Sequence, residues 1–185
     1  MTTTALLLMD LQSAIIDRFS ADAGYLARIN GAAETARSAG FPVLWVKVGF
    51  RPGMPEVSSR NKGFSALAAS GGFTDTDPGS DLHPDLDRHD GDVVVVKKRV
   101  SAFTGSDLEV LLRAAEVDTL VLAGIATSGV VLSTLRQAAD LDYRLTVLAD
   151  GCRDGDDEVH RVLTEKVFPR QAEVTTVGEW VTGRR

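Results

Sequence analysis

The sequence predicts an α/β fold, a three-layer α/β/α sandwich with a six-stranded, mostly parallel sheet. Five short apolar runs are nearly continuous rather than alternating, which is typical of strands that are buried on both faces. Segments with the periodicity of a helix separate these runs. Because strand and helix alternate along the chain, we expect helices on both sides of the sheet.

The predicted elements follow one another along the whole chain. The strands, of which the last is the least apolar, cover residues 5–9, 43–46, 93–96, 119–123, 145–148 and 173–176. The helices, identified by their apolar stripes, cover residues 25–36, 108–115, 128–141 and 156–167. Two segments, 49–61 and 69–92, are longer than ordinary connections, and such loops are usually functional or mobile.

Length and composition are those of an average globular protein, and we expect residues 1–185 to form a single domain. The net charge of −6 argues against a nucleic-acid partner. The one cysteine cannot form an intramolecular disulfide. The apolar run at 5–9 is too short for a signal peptide or a membrane span. We therefore expect a cytoplasmic protein with no membrane partner.

Asp10 directly follows the predicted apolar strand 5–9, and Lys97 stands at the end of the predicted apolar strand 93–96. Parallel sheets bind ligands beyond the carboxyl ends of their strands, at the point where the strand order reverses. Each residue alone has an ordinary explanation, since Asp is a common helix N-cap and a strand-end Lys often extends to solvent. A buried charge must be paired or protonated, so the two could instead form a pair that handles protons.

A third segment, residues 124–131, runs from an apolar strand directly into a helix and is rich in small residues. Amides at the start of a helix point outward with the positive end of its dipole, so this turn could hold a carboxylate or stabilise an oxyanion. A tight connection without a ligand would produce the same pattern. The residues alone leave both interpretations open.

Taken in order, these segments resemble the isochorismatase-like hydrolases, also called the cysteine hydrolase superfamily. The matching stretches are Leu-Met-Asp-Leu-Gln at 8–12, Lys-Lys-Arg-Val-Ser-Ala-Phe at 97–103 and Gly-Ile-Ala-Thr-Ser-Gly-Val at 124–130. The resemblance continues through Ala-Asp-Gly-Cys at 149–152 and His160, so it covers nearly the whole chain. It implies a six-stranded sheet, a small-molecule substrate and a homodimer or larger homo-oligomer.

In the amidases of this superfamily, an Asp acts as base, a Lys as its charge partner and a Cys as the acylated nucleophile. The resemblance places Asp10 and Lys97 on the first two positions, and Ala126 and Val130 where the family supplies oxyanion-hole amides. Val130 also falls on the position of the nucleophile, and its side chain offers none. Cys152 matches a position outside the triad, and we expect it to behave as a small buried apolar residue.

The isochorismatases of the superfamily need no thiol, because their Asp protonates the carbon of a vinyl ether before water adds. The resemblance therefore implies that Asp10, beside Lys97, could act as general acid in a thiol-independent hydrolase. Val130 is bulkier than the Gly of those enzymes, which argues against isochorismate itself. Thr127 or Ser128 could replace the thiol only beside a base, and the sequence indicates none. The alternative is a degenerate member that binds a small molecule or a protein partner without catalysis.

Seven residues are candidates for substrate binding: Gln12, Phe50, Arg60, Asn61, Phe103, Thr127 and Ser128. Phe50 and Phe103 could clamp a flat or apolar ligand. Arg60 and Asn61 could bind a carboxylate, although a solvated loop would also explain Arg60.

The histidines argue against a metal centre. His83, His89 and His160 are scattered along the chain, and the Asp-Trp-His-Pro stretch of metal-dependent relatives is missing. We expect no catalytic metal and no cofactor.

Overall fold

A six-stranded sheet runs through the computed structural model, which describes residues 3–21 and 23–183. Its strands are β1 (Thr4–Met9), β2 (Val43–Val48), β3 (Val93–Lys97), β4 (Thr119–Ile125), β5 (Arg144–Arg153) and β6 (Glu173–Thr175). Every pairing is parallel, and the order across the sheet is β3-β2-β1-β4-β5-β6. The predicted parallel sheet is therefore confirmed, and its strand order reverses between β1 and β4.

Seven α-helices in the described part of the chain surround these strands. They are α1 (Ser13–Arg18), α2 (Ala23–Ser38), α3 (Lys62–Ser70), α4 (Leu108–Ala114), α5 (Leu132–Asp140), α6 (Asp157–Val162) and α7 (Val177–Thr182). A π-helical turn at Thr127–Val131 precedes α5, and another at Leu163–Val167 follows α6. The predicted helices correspond to α2, α4, α5 and α6 with these turns. Within the described ranges, no helix is long and apolar enough to cross a lipid bilayer.

Two apolar cores lie on opposite faces of the sheet. Leu7 and Met9 of β1 belong to the core that includes side chains of α4 and α5, whereas Leu6 and Leu8 belong to the core that includes side chains of α2 and α7. All four are fully buried, which explains why the strand is apolar without alternation. The three-layer sandwich is confirmed.

Two backbone features shape the point where the strand order reverses. Gly124 in β4 has a φ of +146°, and an ideal Cβ there would lie 2.2 Å from the carbonyl oxygen of Met9. Asp10 has a φ of +58°, and its amide donates to the Val46 carbonyl oxygen at 2.7 Å. The absence of a side chain at Gly124 therefore allows β4 to pack closely against the end of β1.

The long segment after β2 packs on α3. Phe50 and Met54 form a small apolar cluster with Val48, and Phe64 and Leu67 of α3 pack against this cluster. Loop 49–61 and α3 thus build a wall near the carboxyl end of β2.

Candidate active site

Asp10 and Lys97 form a buried ion pair at the carboxyl edge of the sheet. Lys97 Nζ lies 2.9 Å from Asp10 Oδ2, and the two side chains are only 2% and 10% exposed. Lys97 ends β3, two strands away from β1, so its long side chain must extend past β2 to reach the carboxylate. The same ammonium donates to the Arg99 carbonyl oxygen at 3.0 Å, which helps to hold it in place.

The Asp10 carboxyl is not a fully satisfied anion. Burial raises its pKa, and this effect is larger than the opposing effect of the Lys97 ammonium. Asp10 Oδ1 is buried and has no hydrogen-bond partner among the described residues. The carboxyl therefore takes up a proton more readily than an exposed aspartate, and one of its oxygens has no competing protein contact.

A cavity of about 410 Å³ lies beside the pair. Asp10 and Lys97 are part of its wall, and α1, α3 and the turn after β4 supply much of the rest. The other lining side chains are mostly apolar, and they include Ile15, Phe19, Val48, Phe64, Phe73 and Val100. A mostly apolar cavity of this size with a few polar groups is typical of a site for a small organic molecule.

The turn after β4 forms one side of this cavity. Ala126 and Val130, the two residues expected near an oxyanion, both lie on the wall, together with Gly129. The Ala126 carbonyl oxygen accepts hydrogen bonds from the amides of Gly129 at 3.1 Å and Val131 at 3.3 Å, which hold the turn compact. The isopropyl group of Val130 is almost fully buried there.

Cys152 does not belong to the cavity. It lies on β5 opposite Gly124, is buried in the core, and is not among the lining residues. Burial raises the pKa of its thiol to about 12, so the thiolate is strongly disfavoured near neutral pH. The prediction that Cys152 behaves as a buried apolar residue is confirmed, and no thiol among the described residues reaches the cavity.

Thr127 and Ser128 lie in the same turn but do not line the cavity. Thr127 is fully buried, and its Oγ1 shares a 2.8 Å hydrogen bond with Nδ1 of His160. The sequence indicated no base near Thr127, and this expectation was wrong because His160 lies beside it. The hydrogen bond joins α6 to the turn, and neither residue lines the cavity. The Ser128 amide donates to Asp154 Oδ2 at 2.7 Å.

Gln12, Phe50 and Phe103 also lie outside the cavity wall. The Gln12 amide is engaged by backbone: Nε2 donates to Val48 and Ser80 carbonyl oxygens at 2.9 and 2.7 Å, and Oε1 accepts from the Val48 amide at 2.9 Å. Phe50 is fully buried among the residues of the small cluster, and Phe103 is buried in one of the two cores. The structure therefore does not bring the two phenylalanines together as a clamp.

The two candidates for binding a carboxylate, Arg60 and Asn61, lie in different surroundings. A second cavity adjoins the first, and Arg60 is exposed and lines neither of the two. Asn61 lines the adjoining cavity, and its Oδ1 caps α3 by accepting the Phe64 amide at 3.1 Å.

Sequence reasoning missed the contributions of α1 and α3 to the cavity wall. Ala14, Ile15, Arg18 and Phe19 all line it. Their spacing of three and four residues places them on one helical face directly after Asp10, which is the signal that could have found them. No comparable sequence pattern indicated Phe64 of α3, because its position depends on how the long loop folds.

Away from the cavity, the part of the chain that the structure describes contains one exposed group whose ligand atoms lie close enough together for a metal ion. The ligand atoms of Glu34, Asp87 and His89 lie within 4.8 Å of one another. Arg37 Nη1 lies 3.7 Å from both carboxylates and already supplies positive charge there.

Comparisons with known proteins identify the family of the chain. The family model for the isochorismatase domain matches residues 4–179. YecD of Escherichia coli O157:H7, an uncharacterized isochorismatase family protein, is 32% identical and covers 96% of this chain and 94% of its own. The ureidoacrylate amidohydrolase RutB of Methylobacterium radiotolerans is 33% identical and covers 86% of this chain and 70% of its own.

Solved structures share the fold. An isochorismatase family protein of Burkholderia thailandensis has a TM-score of 0.83 at 27% identity and covers 98% of this chain and 95% of its own. A cysteine hydrolase of Pseudomonas syringae pv. phaseolicola has a TM-score of 0.89 at 22% identity, with 98% and 92% covered. With the family model matching from β1 to within α7, the chain belongs to the isochorismatase-like hydrolase superfamily.

Proposed function

We propose that the protein hydrolyses a small organic molecule without a thiol and that Asp10 donates the proton. The observation that carries this proposal is a carboxyl whose pKa is raised by burial on the wall of a mostly apolar cavity. A carboxyl with a raised pKa keeps its proton to a higher pH than an ordinary aspartate, which favours general acid catalysis. Stability alone is a weak reason for such a pair, because desolvation offsets much of the attraction in a buried ion pair.

A vinyl ether is the substrate class that this chemistry favours. The Asp10 carboxyl gives its proton to the terminal carbon of the enol ether, and the ether oxygen shares its electrons to form an oxocarbenium ion. Water adds to the cationic carbon and returns a proton to Asp10. The resulting hemiketal breaks down to a ketone and an alcohol, so proton and water are balanced. Lys97, 2.9 Å from Asp10 Oδ2, stabilises the carboxylate between the two proton transfers.

The side chain of Val130 supports a mechanism without an acyl-enzyme. We assign Val130 to the position of the nucleophile in the thiol-using relatives, and its side chain on the cavity wall has no group that could attack. RutB is named as an amidohydrolase, but we do not extend amide hydrolysis to this chain, because the cavity wall offers no thiol.

The substitution Asp10→Asn tests the role of the carboxyl. A substrate is first found in a panel of vinyl ethers, amides and carbamates. Loss of the proton donor should lower its turnover by about 10²- to 10⁴-fold, the usual contribution of a general acid. Asp17→Asn is the matched control, because Asp17 is exposed on α1 and does not line the cavity.

The folded fraction of each variant is measured alongside, since breaking a buried ion pair can cost about 3–5 kcal/mol. Asp17→Asn should keep wild-type turnover. If the folded Asp10→Asn protein turned the substrate over at the wild-type rate, the proposed mechanism would be contradicted.

Val130 also favours a second candidate function, a degenerate hydrolase that binds a small molecule or a protein partner without catalysis. Its bulk in the cavity wall reduces the space for a reacting group. This candidate predicts that a member of the same panel binds without being consumed. Sustained turnover that depends on Asp10 would exclude this second candidate function.

We further propose that the protein works in the cytoplasm, as a single-domain chain assembled into a homodimer or larger homo-oligomer. Light scattering on the purified protein tests the assembly. A mass that stays at one chain across the concentrations of the activity assay would contradict it.

A further inference from the structure

Among the described residues, two cationic side chains line the cavity, and only Lys97 has a carboxylate partner. Lys97 contacts Asp10 at 2.9 Å. Arg18 lies on α1 and has no carboxylate partner among the described residues; its guanidinium carbon lies 5.9 Å from the centre of the Phe19 ring. Arg18 therefore contributes to the lining a positive charge that no carboxylate among the described residues pairs with.

A second cavity, of about 550 Å³, adjoins the first. The two cavities share five lining side chains, so they are neighbours and Arg18 lies at the junction between them; the five are Arg18, Phe64, Leu67, Ser70 and Val100. Asn61 lines the second cavity as well. Its Oδ1 accepts the Phe64 amide, and its Nδ2 has no hydrogen-bond partner among the described residues.

We propose that Arg18, assisted by Nδ2 of Asn61, binds a carboxylate of the substrate at this junction. The proposal deepens the proposed function, on which it rests for treating the cavity as the substrate site. A guanidinium presents two parallel N–H donors that match the two oxygens of a carboxylate. The unpaired charge of Arg18 fits a carboxylate, and the mostly apolar lining shared with Asp10 fits an apolar body. The substrate class is therefore a small carboxylic acid with an apolar body and with its acid-labile group at the Asp10 end.

Binding of a charged and an uncharged ligand of the same shape tests this assignment without any turnover. The probes are trans-cinnamate and trans-cinnamamide, titrated at low salt and followed by ligand-observed NMR. The wild-type protein should bind cinnamate at least about ten-fold more tightly, as expected for a charge-assisted bidentate contact. Arg18→Met should remove this preference and leave the affinity for cinnamamide unchanged, while Arg18→Lys should keep part of it.

Arg88→Met is the matched control, because Arg88 is exposed and lines neither cavity. It should keep the wild-type preference. The proposal is overturned if the wild-type protein shows no preference or binds neither probe, or if folded Arg18→Met protein keeps the preference. Arg18→Gln serves as a second variant should the methionine variant not fold.

The two proposals can fail separately. Asp10→Asn affects turnover of the screened substrate, whereas the cinnamate preference is read from binding alone. Lost turnover in Asp10→Asn with a preference unchanged by Arg18→Met would overturn only the carboxylate site. The reverse pattern would overturn only the proton-donor mechanism.

Discussion

Burial and the neighbouring ammonium act on the Asp10 carboxyl in opposite directions. Burial raises its pKa, the Lys97 ammonium lowers it, and burial has the larger effect. A general acid must be protonated, so kcat/KM should fall as the pH rises through the pKa of Asp10. That descending limb should lie at a higher pH than the titration of an exposed aspartate.

Replacing Lys97 by Met should move this limb further up the pH scale. The change removes the charge that opposes burial, so the pKa of Asp10 rises and the acid stays protonated to a higher pH. The measurement is the pH profile of kcat/KM for the substrate found in the panel. Lys62→Met, at the exposed start of α3, is the control and should leave the limb in place. A limb that stays or moves to lower pH in Lys97→Met would contradict the assignment of Asp10 as the acid.

At the scale of elements, the site depends on the close approach of β4 to the end of β1. Gly124 permits that approach, because a Cβ there would overlap the carbonyl group of Met9. The turn that follows places Ala126 and Val130 on the cavity wall. The packing of these two strands therefore contributes to the position of this part of the cavity wall.

The same substitution at two glycines should have opposite effects on stability. Gly124→Ala should lower the free energy of unfolding by about 3 kcal/mol or more, since it combines a steric overlap with an unfavourable φ. Gly31→Ala, in the exposed face of α2 with open space around it, should raise it by about 0.5–1 kcal/mol. Urea unfolding measures both. Equal effects of the two changes would contradict the close strand approach.

Strand pattern was sufficient to predict the sheet, but helix pattern was only partly sufficient for the helices. α1 and α7, which periodicity did not identify, have six residues each, fewer than two helical turns. α3, which was also missed, lies in the long connection between β2 and β3. The predicted helices 128–141 and 156–167 carry π-helical turns, which periodicity alone does not distinguish from α-helix.

On the scale of the whole molecule, the sheet assembles the site from residues far apart in sequence. Asp10 and Lys97 could be predicted because both lie at carboxyl ends of parallel strands, which meet at one edge. Phe50 follows β2 and Phe103 follows β3, but both side chains are buried in apolar clusters instead. Arg18 was missed although its spacing from the other lining residues of α1 could have indicated it, and its proposed role also depends on where α3 lies.

The substitution Val130→Cys should add amide hydrolysis to the protein if the rest of the site has the geometry of its thiol-using relatives. A thiol at this point of the wall would lie in the same cavity as Asp10, which could accept its proton. Turnover of the amides in the panel measures the gain over wild type. The double variant Val130→Cys with Asp10→Asn should lose it. A folded Val130→Cys protein with no amidase activity would contradict the placement of Val130 at the nucleophile position.

The protonation of Asp10 can be measured directly by ¹³C NMR of the aspartate side-chain carboxyls across pH, with Asp10→Asn used to assign the signal. We predict that Asp10 titrates above the ordinary range of an aspartate carboxyl. An Asp10 carboxyl that titrates within or below that range would be an ordinary paired anion, and the proton-donor mechanism would be wrong.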